Sequence, residues 1–388
     1  MKIQSIRVLG KDLPMTLVEV ATDDGAVGIG GTEAPMSVIR PILEAYPFRL
    51  VDLLLGQDPR DVRRLARAMF HATQGQGGLI VNAMAALDMA IWDLRGKIHE
   101  APLHKLFGGA VQDRVMVYAS ATAFDLRNGL SLPLRFKSTE RLVVEARARV
   151  KEGFSAIKFG WGNHFERQDD ERLAAIREAI GPAIRFMIDF GVPDYFSPGV
   201  TPKSAERIAR LLEKHDVYFF EEPLPPYDFD GYEALTRAAC MRIATGEMLC
   251  HGYEFDRLID RRAIDVIQPD AYRIGVTQTL RVARRADEAG ILCVPHSPWS
   301  ALAVASHVNV MATIAGGVMI EYPSPSLYDD TIRHGESVRI NTGDLVSHAL
   351  RPVDGFIPLP TRPGLGVGEF NPNAIERIET LAAEGLER

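Results

Sequence analysis

Between residues 217 and 226 the chain reads Val-Tyr-Phe-Phe-Glu-Glu-Pro-Leu-Pro-Pro, a short apolar run that stops at two carboxylates and a proline. Such a run suits a strand buried on both faces. Burying a charge is costly unless it is paired or bound to a metal, so acids at the mouth of a buried strand need a partner. The arrangement recurs: Phe186-Met187-Ile188 leads to Asp189, and Arg242-Ile243-Ala244-Thr245-Gly246 leads to Glu247. Further on, Val266-Ile267-Gln268-Pro269 leads to Asp270 and Leu292-Cys293-Val294-Pro295 to His296, while upstream Ser155-Ala156-Ile157 leads to Lys158. Successive intervals from Lys158 to His296 are 31, 32, 26, 23 and 26 residues, each the length of a strand–helix unit.

Units of that length imply parallel strands joined by right-handed crossovers. If they close into a (β/α) barrel, all six polar strand ends meet at one rim, where such barrels carry their chemistry. Helices are expected at 166–179, 203–215, 232–239, 255–262 and 277–289. Residues 1–33 read instead as a small antiparallel sheet, with the Asp24-Gly25 turn as a hairpin signal. A long helix over 82–98 with one apolar face follows, ended by Pro102 and Gly108-Gly109. The expected organisation is an α+β domain over 1–113, a barrel over 114–323, and a segment over 324–388, with a last helix at 372–386, that returns to the first domain.

A net charge of −7 excludes the basic face that a nucleic acid or an anionic membrane would require. No apolar run approaches the roughly 20 residues of a membrane span, and the first residues read as a strand rather than a signal peptide. Cys240, Cys250 and Cys293 have no ligand-like spacing and are expected to be buried, inert thiols in a reducing cytoplasm.

Asp189, Glu221 and Glu247 lie on three successive strand ends. Three facing carboxylates raise one another's pKa, and a divalent cation removes the conflict. All-oxygen ligands point to Mg²⁺ or Mn²⁺ rather than zinc. The bland alternative is a ring of salt bridges with Lys158 and nearby arginines. Glu222 points to the other side of the strand and is the weaker ligand candidate. At the next two ends, Asp270 beside His296 would orient the ring and raise its proton affinity, as a general base needs. Lys158 reads either as a partner of Asp189 or as a fixed cation for a substrate carboxylate. Glu321, at the last strand end, reads as a protonated or hydrogen-bonded acid, and Trp161 and Arg273 as substrate contacts. His71, His164, His251 and His307 read as ordinary core or surface residues. The run 74–78, Gln-Gly-Gln-Gly-Gly, lacks the Lys-Ser/Thr of a phosphate loop and reads as a turn before the long helix.

Taken together these residues resemble the enolase superfamily, in its mandelate racemase-like branch. The resemblance is carried by residues 86–97, Leu106-Phe107-Gly108-Gly109, Ile188-Asp189 and Phe220-Glu221-Glu222-Pro223. It extends to Thr245-Gly246-Glu247, Gln268-Pro269-Asp270 and Pro363-Gly364-Leu365-Gly366-Val367. It implies a (β/α)7β barrel capped by an α+β domain built from both chain ends, with Mg²⁺ on Asp189, Glu221 and Glu247 and an Asp270–His296 dyad. The implied chemistry is abstraction of the proton α to a carboxylate, giving a metal-stabilised enediolate. A homo-oligomer acting on a small carboxylate is the expected assembly.

Racemases of this branch carry Lys-x-Lys on the second barrel strand, whereas this chain has Lys158-Phe159-Gly160. With a base on one face only, racemisation gives way to elimination: His296 takes the α proton and returns one to a departing β-hydroxyl. The expectation is a dehydratase of an aldonate or aldarate in carbohydrate catabolism, giving a 2-keto-3-deoxy acid. Residues 77–82, Leu224-Pro225-Pro226-Tyr227 and Val294-Pro295-His296 are similar to L-rhamnonate dehydratase-like members. The alternatives are an epimerase or cycloisomerase, and a metal-binding relative without catalysis. The family's long covering loop is replaced here by a connection of about five residues around 10–14, so another segment must cover the substrate.

Overall fold

Three antiparallel strands begin the chain: β1 (Ile3–Leu9), β2 (Thr16–Thr22) and β3 (Val27–Thr32), in the order 1-2-3. The computed structural model describes residues 1–388 except 12, 14, 46, 126–134, 163, 164, 166, 191–199, 298, 299, 324–341, 387 and 388. Helices α1 (Met36–Glu44), α2 (Leu50–Leu54), α3 (Val62–Ala72), α4 (Leu79–Ile98) and α5 (Leu103–Leu106) complete the first layer. Strand β3 lies so close to α4 that a Cβ at Gly28 would meet Ala90 O at 2.2 Å, and one at Gly30 would meet Ala86 O at 2.3 Å. Only glycine permits that approach. The single apolar face expected for α4 is a correction: the helix is buried almost all round from Val81 to Gly96. The sheet covers one side and a barrel helix the other, so Asn82, Asp88 and Asp93 are enclosed as well.

The barrel follows as β4 (Arg114–Thr122), a small ribbon of β5 (Phe124–Asp125) and β6 (Arg135–Phe136), then α6 (Thr139–Lys151) and β7 (Ala156–Gly160). Next come α7 (Arg167–Ile180), β8 (Arg185–Asp189), α8 (Pro202–Glu213), β9 (Val217–Glu221), α9 (Phe229–Ala238) and β10 (Arg242–Thr245). The last units are α10 (Gly252–Asp260), β11 (Val266–Ile267), α11 (Ala271–Ala289), β12 (Leu292–Cys293), α12 (Ala301–Met311) and β13 (Ile320–Pro323). Eight parallel strands pair in the order 12-11-10-9-8-7-4-13. A bridge between Cys293 and Gly317 and a bond from Glu321 N–H to Pro295 O at 3.3 Å join the two ends. The expected (β/α)7β barrel is therefore present.

One side chain from each strand or its end fills the barrel: Tyr118, Ala156, Met187, Phe219, Ala244, Val266, Val294 and Met319. Small residues (Ala156, Ala244) sit beside large ones (Tyr118, Phe219), so the interior is packed rather than a pore. The expected helices form with shifted ends. The largest shift is α11, which starts at Ala271 because Asp270 caps a first turn that Gly275 (φ 81°) then breaks from the rest. After the described residues resume, β14 (Phe356–Pro358) pairs antiparallel with β4. Leu365 N–H bonds Asp93 on α4, and the chain ends in the helix Pro372–Leu386. Of the three thiols only Cys293 is buried; Cys240 is exposed because it sits in the turn between α9 and β10. No helix among the described residues is long and apolar enough to cross a membrane.

Candidate active site

The register of the barrel carries polar residues to one rim. Asp189 and Glu221 are direct partners across β8 and β9, and Gly160 on β7 is the partner of Asp189 on its other side. Glu247, Asp270 and His296 follow the ends of β10, β11 and β12, and Glu321 lies on β13. Two linked groups result.

In the first, the Lys158 ammonium donates to both Glu221 oxygens, at 2.7 and 2.8 Å. It stands 3.2 Å from Glu321 and 3.4 Å from Asp189, and 5.5 Å above the Tyr118 ring. Burial works against the charge on Lys158, but the carboxylates of Glu221, Glu321 and Asp189 raise its pKa well above the usual lysine value. Burial raises Glu221 well above the ordinary range; Lys158 opposes this, while Asp189, Glu321 and Glu247 add to it. One ammonium does not neutralise this many carboxylates.

In the second, His296 Nδ1 lies 2.9 Å from Asp270 Oδ2, and Nε2 lies 3.0 Å from Glu247 and 4.0 Å from Glu321. Burial disfavours the imidazolium, yet Glu247, Glu321 and Asp270 hold the His296 pKa up to about 10. Burial also opposes the Asp270 charge, and the hydrogen bond and charge of His296 outweigh it. Glu321 is ionised and not the protonated acid that was one expectation. Against burial, Lys158, His296, Ser120 and the Ser297 N–H bring it down to about 2.

Glu222 turns away, as strand periodicity requires, and accepts from Thr245 Oγ1 at 2.6 Å and Gly246 N at 3.1 Å. Burial, with Glu247 beside it, pushes its carboxyl up to about 8. Trp161 is wholly buried in an aromatic cluster with Phe136 and Phe165, and its Nε1 has no partner among the described residues. Arg273 is drawn to the edge of the site by Glu33, with Nε 2.7 Å from the carboxylate. That contact is an ion pair in which the N–H is not aimed at the oxygen. His71 is exposed and His251 buried, whereas His164 lies outside the described residues. The 74–78 turn abuts the loop after β10, with Gly78 N–H 3.4 Å from Cys250 Sγ.

Among the described residues no three of His, Cys, Asp and Glu are drawn together closely enough to hold an ion. The ammonium of Lys158 stands between Asp189 and Glu221 instead, so the salt-bridge alternative holds for those two, while Glu247 bonds His296. The donor set nevertheless fits a hard divalent cation: Asp189, Glu221 and Glu247 offer only oxygens from adjacent strand ends. The raised proton affinity of Glu221 marks a local shortage of positive charge.

Sequence reasoning passed over Ser120, Tyr118, Ser297, Glu33 and His307. Ser120 was within reach, since it lies near the end of β4 as Lys158 lies on β7, its direct partner. Glu33 carried no signal, because its partner Arg273 lies on a different domain.

Residues 7–108 match the family described as mandelate racemase / muconate lactonizing enzyme, N-terminal domain. Residues 141–371 match the one described as enolase C-terminal domain-like. The chain belongs to the enolase superfamily. Within it this enzyme falls in the mandelate racemase-like branch. A D-galactarolactone cycloisomerase of Agrobacterium fabrum is 29% identical over 92% of this chain and 89% of its own length. A D-galactonate dehydratase of Ralstonia nicotianae is 27% identical over 93% and 90%. Among solved structures, an enolase from Agrobacterium radiobacter with bound Na and L-malate superposes with a TM-score of 0.79. It is 31% identical over 97% of this chain and 95% of its own.

Proposed function

We propose that this enzyme is an Mg²⁺-dependent dehydratase of an acid sugar, an aldonate or aldarate, with His296 as its single acid/base. One geometry carries the reading. His296 is anchored by Asp270 with Nε2 turned to the carboxylate cluster, whereas two residues beyond Lys158 stands Gly160, flanked by Trp161. Among the described residues that flank offers no second acid–base group.

Asp189, Glu221 and Glu247 would hold the cation. Mg²⁺ bound there would supply the positive charge that draws in the substrate carboxylate and acidifies its α carbon. Lys158 stays an ammonium and adds a fixed charge beside that carboxylate. Asp270 stays ionised and holds His296 with Nδ1–H toward itself, which leaves Nε2 to take the α proton. The same nitrogen then hands a proton to the β-hydroxyl as the Cβ–O bond breaks. Water leaves, and the enol tautomerises to a 2-keto-3-deoxy acid.

Incubating the protein and Mg²⁺ with hexonates, pentonates and diacids, and assaying 2-keto-3-deoxy product, tests this. No turnover across the panel would sink it. His296→Asn is expected to cut α-proton exchange by roughly 10²–10⁴-fold with little change in melting temperature.

A cycloisomerase is the second reading. The Agrobacterium fabrum relative and a solved 3,6-anhydro-D-galactonate cycloisomerase of Zobellia galactanivorans (28% identical, TM-score 0.80) favour it. Conversion of a lactone or anhydro acid to an isomer of equal mass, without loss of water, would decide for it.

A further inference from the structure

Helix α12 is buried along almost its whole length, and His307 within it is fully enclosed. Its Nε2 accepts the Ala271 N–H at 2.9 Å. A ring nitrogen that accepts carries no hydrogen, so the ring proton is on Nδ1, which has no partner among the described residues. A purely packing role would be met better by leucine, since an unpaired buried donor costs free energy. The ring is neutral: burial brings its pKa down to about 4, with Asp270 and Glu321 opposing and His296 adding to the effect.

What His307 does is visible at Asp270. Residue 270 is the N-cap of α11, where the first backbone N–H groups lack helical acceptors. Asp270 Oδ1 takes the Tyr272 N–H at 2.7 Å, and Oδ2 takes His296 Nδ1 at 2.9 Å. The Ala271 N–H would be a third claimant on that carboxylate. His307 removes it, with Nε2 only 3.8 Å from Asp270 Oδ1.

We propose that His307 is a positioning residue: by accepting the Ala271 N–H it reserves one Asp270 oxygen for His296 and fixes the angle of that ring. The proposal deepens the functional reading above and rests on Asp270–His296 as the acid/base pair.

Two variants test it. His307→Gln keeps an acceptor within reach of the Ala271 N–H and is expected to hold kcat within about threefold of the parent. His307→Leu removes the acceptor and should lower kcat roughly 10–100-fold while KM stays within about threefold, because orientation is lost and not binding. Nitrogen-15 NMR of labelled histidine in the metal-free protein gives a readout independent of turnover. His307 should appear as the neutral Nδ1–H tautomer. The His296 Nδ1–H signal should be kept in His307→Gln and broadened or shifted in His307→Leu. Unchanged kcat in His307→Leu, equal losses in both variants, a loss confined to KM, or an Nε2–H tautomer at His307 would overturn the proposal. If His307→Leu does not fold, the tautomer and His307→Gln decide. If no acid sugar is turned over, the dehydratase reading fails and the NMR signals alone judge His307.

Discussion

Lys158 is only 1% exposed, and a lysine so placed keeps its charge because carboxylates face it from neighbouring strands. Removing one member of a buried charge cluster leaves the others uncompensated, at a cost of about 3–5 kcal/mol. Lys158→Met is therefore expected to be less stable by about 3 kcal/mol in the presence of chelator. Mg²⁺ should raise its melting temperature more than that of the parent, because no ammonium competes for Glu221. Equal shifts would remove Glu221 from the cation site. Gly160 is the complementary case. Its backbone lies outside the left-handed region, and an added Cβ would meet only Ala121 O at 3.7 Å and Thr122 Oγ1 at 3.9 Å. Gly160→Lys should thus be accommodated and place a second amine beside Asp189. Epimerised substrate is expected to appear, with dehydration reduced about tenfold; chiral chromatography of the recovered acid checks this.

Helix α11 shows how an element can depend on a distant charge. Beyond the break at Gly275, its second segment starts at Thr277, whose N–H and hydroxyl donate to Asp88 of α4 at 2.9 and 2.5 Å. Trp92 Nε1 donates to the same hydroxyl at 2.8 Å. Asp88 acts as a cap supplied by another helix. Burial pushes its pKa up from 3.8 to about 6, against the bonds from Thr277. A carboxyl with a raised folded-state value favours folding while protonated. Its contribution is therefore lost as pH rises from about 4 through about 6, on the order of 2–3 kcal/mol. Asp88→Asn keeps an acceptor for Thr277 N–H and does not titrate. Urea unfolding at successive pH values should show its stability gaining on the parent's across that window and running parallel to it above. A constant difference from pH 4 to 7 would assign the parent's slope to other groups.

At the scale of the molecule, three remote stretches are tied through Asp93. Its carboxylate takes the Ile29 N–H at 2.9 Å and the Leu365 N–H at 2.8 Å, and pairs with Lys97 at 2.8 Å. Lys97 also reaches Val27 O and Gly368 O. Burial raises the Asp93 pKa, with Lys97 and the backbone donors opposing it. Asp93→Ala leaves two buried N–H groups and an ammonium without their partner, and should cost about 3 kcal/mol or more in a urea titration. A loss below about 1 kcal/mol would mean that the C-terminal segment is held by packing alone.

The order of strands, the rim they share and the acids placed there were legible because they follow from local patterns. Each apolar run ends in a polar residue, and the spacing between runs matches one strand and one crossover helix. The enclosure of α4 was not legible, since its second partner, α11, lies far along the chain. Nor were Glu33 against Arg273, Ser297 against Glu321, or His307 behind Asp270. The amino-acid sequence by itself determined which side chains reach the mouth of the barrel. Only the tertiary structure decided which of them pair, because those contacts exist once the ring of strands has closed and brought opposite charges into a space with too little water to separate them.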